Sequence, residues 1–169
     1  NNYASKTITV TVEDKIYEEH DSVFYLDTLM YNEETNMLDF KGFLIIKGMN
    51  NILDTMISYS IIFENQYDGS VIIKNLSRLT KDYPFDAPSI DNYTNLGSWF
   101  SEAIDLTNIP SGNYSVYVRA RSGDYESKIY LKNAMLKNIS SKFTIGEKGY
   151  QLRTNYYSKQ IQLIELSTQ

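Results

Sequence analysis

The stretch Ile109-Pro110-Ser111-Gly112-Asn113-Tyr114-Ser115-Val116-Tyr117-Val118-Arg119-Ala120-Arg121 joins a turn to a strand, and the rest of the chain reads outward from it. Pro110 presets its own backbone angle and Gly112 reaches conformations closed to other residues, so 110–112 is a turn. After it, Tyr114, Val116, Val118 and Ala120 alternate with more polar neighbours. Side chains on a strand point to opposite faces in turn, so this set shares one face and should point into a core. Ser122-Gly123-Asp124 then turns the chain into a second strand that runs to Leu131.

The same period recurs on both sides. Thr7-Ile8-Thr9-Val10-Thr11-Val12 alternates strictly with β-branched residues and reads as a first strand. Residues 22–31 and 37–47 form a hairpin around the polar turn Asn32-Glu33-Glu34-Thr35-Asn36. Within 52–64, Ile57, Tyr59, Ile61 and Phe63 share a core face, and Asp68-Gly69 marks a tight turn into 70–74. Residues 99–106, 143–145, 150–156 and 160–166 supply further strands, with Glu147-Lys148-Gly149 turning between two of them. No stretch keeps a helical apolar period over a helix's length. Between 78 and 97 the alternation stops; this segment holds Pro84 and Pro88 and reads as one long loop, a place where function often resides. A single domain over 1–169, cut from a longer chain, is expected. Two small sandwiches divided at 78–97 are the competing arrangement.

The turn at 110–112 followed by Tyr114 and its alternating strand resembles the corner and following hairpin of immunoglobulin-like and fibronectin-type domains. In that family a tyrosine at the start of a strand folds its hydroxyl back onto the preceding corner, and Tyr114 is the matching residue. With Trp99-Phe100 and Ile104-Asp105-Leu106, residues 97–133 also resemble β-sandwich accessory domains of Gram-positive cell-envelope proteins. The resemblance implies an all-β, antiparallel immunoglobulin-like sandwich on the cell surface or outside the cell. At 169 residues the chain exceeds the roughly 100 of that fold, so extra strands are expected.

Composition narrows the function. The chain is 42% hydrophobic and 22% charged, which is globular, and no apolar run is long enough for a membrane-spanning helix. Zero cysteines exclude disulfides, thiol catalysis and cysteine-held metals. A net charge of −5 disfavours nucleic acid as a partner. The charge is uneven: residues 1–40 hold nine acids against Lys6 and Lys15, whereas 113–159 hold nine bases against Asp124, Glu126 and Glu147. Either the two ends of the chain offset each other across the sandwich, or the bases form a face for an anionic wall polymer.

The single histidine, His20, sits in Glu18-Glu19-His20-Asp21 and reads as a loop residue rather than a metal ligand or catalytic base. No phosphate-binding loop, dinucleotide fingerprint or nucleophile elbow occurs. Asp39, Glu64, Glu102 and Asp105 are strand acids that would serve glycoside hydrolysis only as a close pair. Asp82, Asp86 and Asp91 read as turn formers in the long loop. Tyr83, Phe85, Tyr93 and Trp99 are the candidate ligand-binding residues, because flat aromatic faces bordered by Asp and Asn suit sugar rings. Trp99 is at the same time the strongest candidate for a core position. The expected function is a non-catalytic module for docking, adhesion or spacing, with no cofactor. Cell-wall polysaccharide or another surface protein is the expected partner. The alternatives are a carbohydrate-binding module and, behind it, a carboxylate-pair hydrolase.

Overall fold

The computed structural model describes residues 15–48, 56–79, 98–132 and 140–166. The strand read at Thr7–Val12 lies outside them, as does 80–97 of the long loop. Eleven strands occur among the described residues: β1 (Glu18–Glu19), β2 (Ser22–Asn32), β3 (Met37–Ile46), β4 (Ile57–Asn65), β5 (Val71–Arg78), β6 (Trp99–Asp105), β7 (Tyr114–Ser122), β8 (Tyr125–Tyr130), β9 (Ser140–Ile145), β10 (Lys148–Thr154) and β11 (Ile161–Leu166). No helix among them is long and apolar enough to cross a membrane.

Local chemistry explains the turns. In the β2–β3 hairpin the Asn32 side-chain oxygen accepts the backbone N–H groups of Glu34 and Thr35, and Asn36 takes the left-handed conformation that Asn tolerates, φ 55°. After β4, Asp68 accepts the N–H of Ser70 and Gly69 adopts φ 72°. The turn between β9 and β10 falls at 146–147, one residue earlier than the sequence suggests, because Gly146 supplies the positive φ of 61°.

The strands form two layers. On one side β3 pairs with both β2 and β6; on the other β4 pairs with both β5 and β7, and β7 with β8. Apart from β5 and the additions described below, this is the pairing order of an immunoglobulin-like sandwich. β5 belongs to both layers: Val71–Leu76 pair with β4, then Ser77 and Arg78 pair with β6. The path β2-β3-β6-β5-β4-β7-β11-β10-β9 is thereby continuous. Its ends approach each other where Tyr31 of β2 stacks on Phe143 of β9, centroids 4.0 Å apart and planes at 10°, and donates its hydroxyl to Thr144 O. The sandwich is nearly closed into a barrel.

The extra strands use an edge that β8 leaves vacant. β8 pairs with Tyr117–Ser122 of β7, and Leu131 then donates to Val116 O and accepts from Ile161 N. Beyond that point β11 replaces β8 beside β7, pairing at Tyr114 and Ser115, and β10 and β9 follow in antiparallel order. Among the described strands, β1 is the one departure from antiparallel pairing, running parallel to β8.

Alternation sorts the core as the sequence implies. Ile57, Tyr59, Ile61 and Phe63 of β4 pack with Tyr114, Val116, Val118 and Ala120 of β7 and with Leu38, Phe40 and Leu44 of β3. The Tyr114 hydroxyl donates to Pro110 O at 2.6 Å, so the tyrosine corner is made. Removing that hydroxyl in Tyr114→Phe leaves a corner carbonyl without its partner and should cost about 1–2 kcal/mol. Urea unfolding should show this as a lower midpoint at unchanged slope.

Candidate functional site

The outer face of the β5–β4–β7–β8 layer collects aromatic and charged groups. Because Tyr114, Val116, Val118 and Ala120 face the core, Tyr117, Arg119 and Arg121 face outward. Register sets their neighbours: Tyr117 lies between Ile62 and Tyr130, Arg119 between Ser60 and Lys128, and Arg121 between Ser58 and Glu126. The Tyr117 and Tyr130 rings are 5.1 Å apart, and the Lys128 ammonium sits 4.0 Å from the first and 5.1 Å from the second. Glu64 accepts the Tyr130 hydroxyl and lies 3.8 Å from Lys128.

At the β1 end of this face Glu126 takes Arg121 at 2.5 Å and Arg119 at 3.9 Å, while the Arg121 guanidinium covers Tyr17 at 4.0 Å. Burial, then the neighbouring Arg121, lowers the Arg119 pKa, with Glu126 opposing both. Burial also works against the charge of Lys128, but Tyr117, Tyr130 and Glu64 together outweigh it and raise the pKa. Burial is likewise the main reason the Tyr117 hydroxyl is raised. These charges are mutually compensated and serve to hold β1, β7 and β8 together.

The charge pattern changes across the added strands. β11 continues the face through Gln162 opposite Ser115, β10 through Arg153 opposite Gln162, and β9 through Lys142 opposite Gln151. Lys132, bridged to Gln160, joins the same face from the end of β8. Lys132, Lys142 and Arg153 are exposed, as is Lys159 in the loop after β10. Among the described residues none of these four has a carboxylate within ion-pair distance. Among the described residues of the acidic 1–40 segment, the ion pairs are Lys15–Asp124, His20–Glu18 and Lys41–Asp27.

The loop at 155–160 is locked by one asparagine. Asn155 accepts the N–H groups of Tyr157 and Ser158 on its side-chain oxygen, donates its amide to Gln162, and exchanges backbone bonds with Lys159 and Gln160. Lys159 completes the turn at φ 59°. What this frame presents is Tyr156 and Tyr157, 78% and 90% exposed, with ring centroids 5.3 Å apart at 88°. The Lys159 ammonium lies 4.6 Å from the Tyr156 ring. The sequence pattern places Tyr156 at the end of a strand; the available signal was Asn155, whose side chain favours such a turn.

Of the sequence-predicted ligand-binding residues, Trp99 is the one that lies among the described residues. Trp99 is 4% exposed on the outer side of the β2–β3–β6 layer, edge-on to Phe43 at 5.0 Å and to Tyr25 at 6.2 Å. It sits in a small cluster with Phe43 and Ile45, separate from the main core, and its indole offers no open platform. Tyr83, Phe85 and Tyr93, with Asp82, Asp86 and Asp91, lie outside the described residues. His20 is tied to its surroundings: Nδ1 is 3.3 Å from Lys47 O, Nε2 is 3.2 Å from Glu18, and the ring meets Tyr125 edge-on.

Each strand acid has a structural partner. Glu102 accepts the N–H and hydroxyl of Ser77, where β5 reaches β6. Asp105 caps the N–H of Thr107, which lowers its pKa; Asp39 accepts from Asn32, and Glu64 from Tyr130. A groove of about 380 Å³ lies at the β2–β9 seam, lined by Tyr31, Glu33, Asn36, Lys142 and Phe143 among others. No family model, curated protein or solved structure matches this chain.

Proposed function

We propose that the chain is a non-catalytic β-sandwich module of a bacterial cell surface or secreted protein, acting by docking or adhesion. The observation that carries this reading is the 155–160 loop, whose Asn155 frame fixes the backbone that presents two exposed tyrosine rings. Ordered, exposed aromatic side chains supply contact area at low entropic cost, which is the behaviour of a recognition surface. Hydrolysis by a carboxylate pair is disfavoured because Asp39, Glu64, Glu102 and Asp105 are each committed to a structural donor. The resemblance of residues 97–133 to cell-envelope accessory domains supports the location.

Sedimentation of the purified chain with isolated Gram-positive cell walls tests the proposal. Co-sedimentation without release of reducing sugar is expected. Trp99 emission should be that of a buried indole and should not change on binding. Failure to co-sediment, or steady release of reducing sugar, would overturn the proposal.

A further inference from the structure

We infer that the outward face of the added strands, with the 155–160 loop, is a binding strip for an anionic saccharide polymer. This rests on the docking reading and names the chemistry of the partner. Tyr156 and Tyr157 take the apolar faces of sugar rings, and Lys132, Lys142, Arg153 and Lys159 take the polymer's carboxylates or phosphates.

Three independent features converge there. The first is charge: four exposed cations without a carboxylate partner among the described residues lie together on a chain whose net charge is −5. Elsewhere on this face the cations are covered, with Arg119 and Arg121 on Glu126 and Lys128 on Glu64. A polyanion is therefore drawn to the added strands rather than to the whole sheet. The second is the tyrosine pair, an apolar surface that attraction to a simple anion does not require. The third is reach. From Gln151, opposite Lys142, to Asn155 is four residues, or about 13 Å at the rise of a strand. That length accommodates an extended chain of several sugars and exceeds what one free anion would occupy.

The outcome fits an acidic glycan better than the other polyanions. Sugar rings offer the C–H faces that two phenol rings can cover, whereas a bilayer surface would call for a broader apolar patch; single-stranded DNA, which shares the negative charge, is the competitor that separates charge alone from saccharide recognition.

The test uses the intact chain with polygalacturonate as probe, dextran as the neutral control, and single-stranded DNA and phosphatidylglycerol vesicles as competing polyanions. Binding to polygalacturonate, and not to dextran, is expected. It should weaken at least roughly tenfold as NaCl rises from about 50 mM to about 500 mM. Lys142→Gln/Arg153→Gln/Lys159→Gln and, separately, Tyr156→Ala/Tyr157→Ala should each lose roughly tenfold in affinity. All five positions are exposed, so thermal midpoints should stay close to the parent's. No binding of polygalacturonate would overturn the inference, as would tyrosine variants that bind unchanged, or equal affinity for DNA or the vesicles. If the chain still co-sediments with walls while polygalacturonate neither binds nor competes, the inference fails and the docking reading stands. Loss of wall binding altogether removes both.

Discussion

Phe100→Ala is expected to destabilise the protein by about 4 kcal/mol, toward the upper end for a buried phenylalanine. Phe100 is fully buried and its ring centre lies 5.2 Å from Phe40, 5.4 Å from Tyr59 and 6.5 Å from Phe24. Those rings come from both layers, Phe24 and Phe40 from β2 and β3, and Tyr59 from β4. A cavity here is spanned by strands whose spacing is set by their own ladders, so it cannot collapse by moving one side chain. The lost transfer energy and the residual void therefore add. Thermal unfolding should show a midpoint roughly 12 °C lower, from about 3 °C per kcal/mol for a domain of this size. A drop under about 4 °C would mean that the neighbouring rings refill the site.

Gly42→Ala should cost about 3 kcal/mol, although alanine is ordinarily the better strand residue. A Cβ on Gly42 would stand 2.3 Å from the carbonyl oxygen of Tyr25 and 3.3 Å from the Phe100 ring. The carbonyl is backbone and cannot rotate away. Its position follows from the register shift between Leu26 and Thr28, where Asp27 is the extra residue of a bulge and β2 leans toward β3 opposite Gly42. Relief requires separating the two strands and giving up ladder hydrogen bonds. Gly149→Ala is the matched control, since its Cβ would meet only the Leu166 side chain at 3.5 Å and should change stability by less than about 0.5 kcal/mol. If the two substitutions have equal effects in urea titrations, the close approach at Gly42 is not what makes glycine necessary there.

Much of the fold was readable in order along the chain. A two-residue period depends only on neighbours, so the core faces of β4 and β7 follow from Ile57 to Phe63 and from Tyr114 to Ala120 without knowledge of a partner strand. Turns are equally local: Asn32, Asp68 and Asn155 bond to backbone two or three residues away, and Gly69 and Gly146 supply positive φ. Tyr114 was legible because its acceptor, Pro110, is four residues upstream.

The candidate site was not legible in this way. Lys132, Lys142, Arg153 and Lys159 are spread over 28 residues, and their shared face depends on β11 taking over the β7 edge from β8. Trp99 shows the same limit at one residue. Alternation places Trp99 and Phe100 on opposite sides of β6 but does not say which side is the interior. Pairing of Phe100 with Gly42 and of Trp99 with Phe43 decides it, sending the phenylalanine between the layers and the tryptophan outside. Periods and turns follow from near neighbours and are written in the chain. Which strands meet, in what register and across which edge depends on contacts distant in sequence, and only the folded structure determines those.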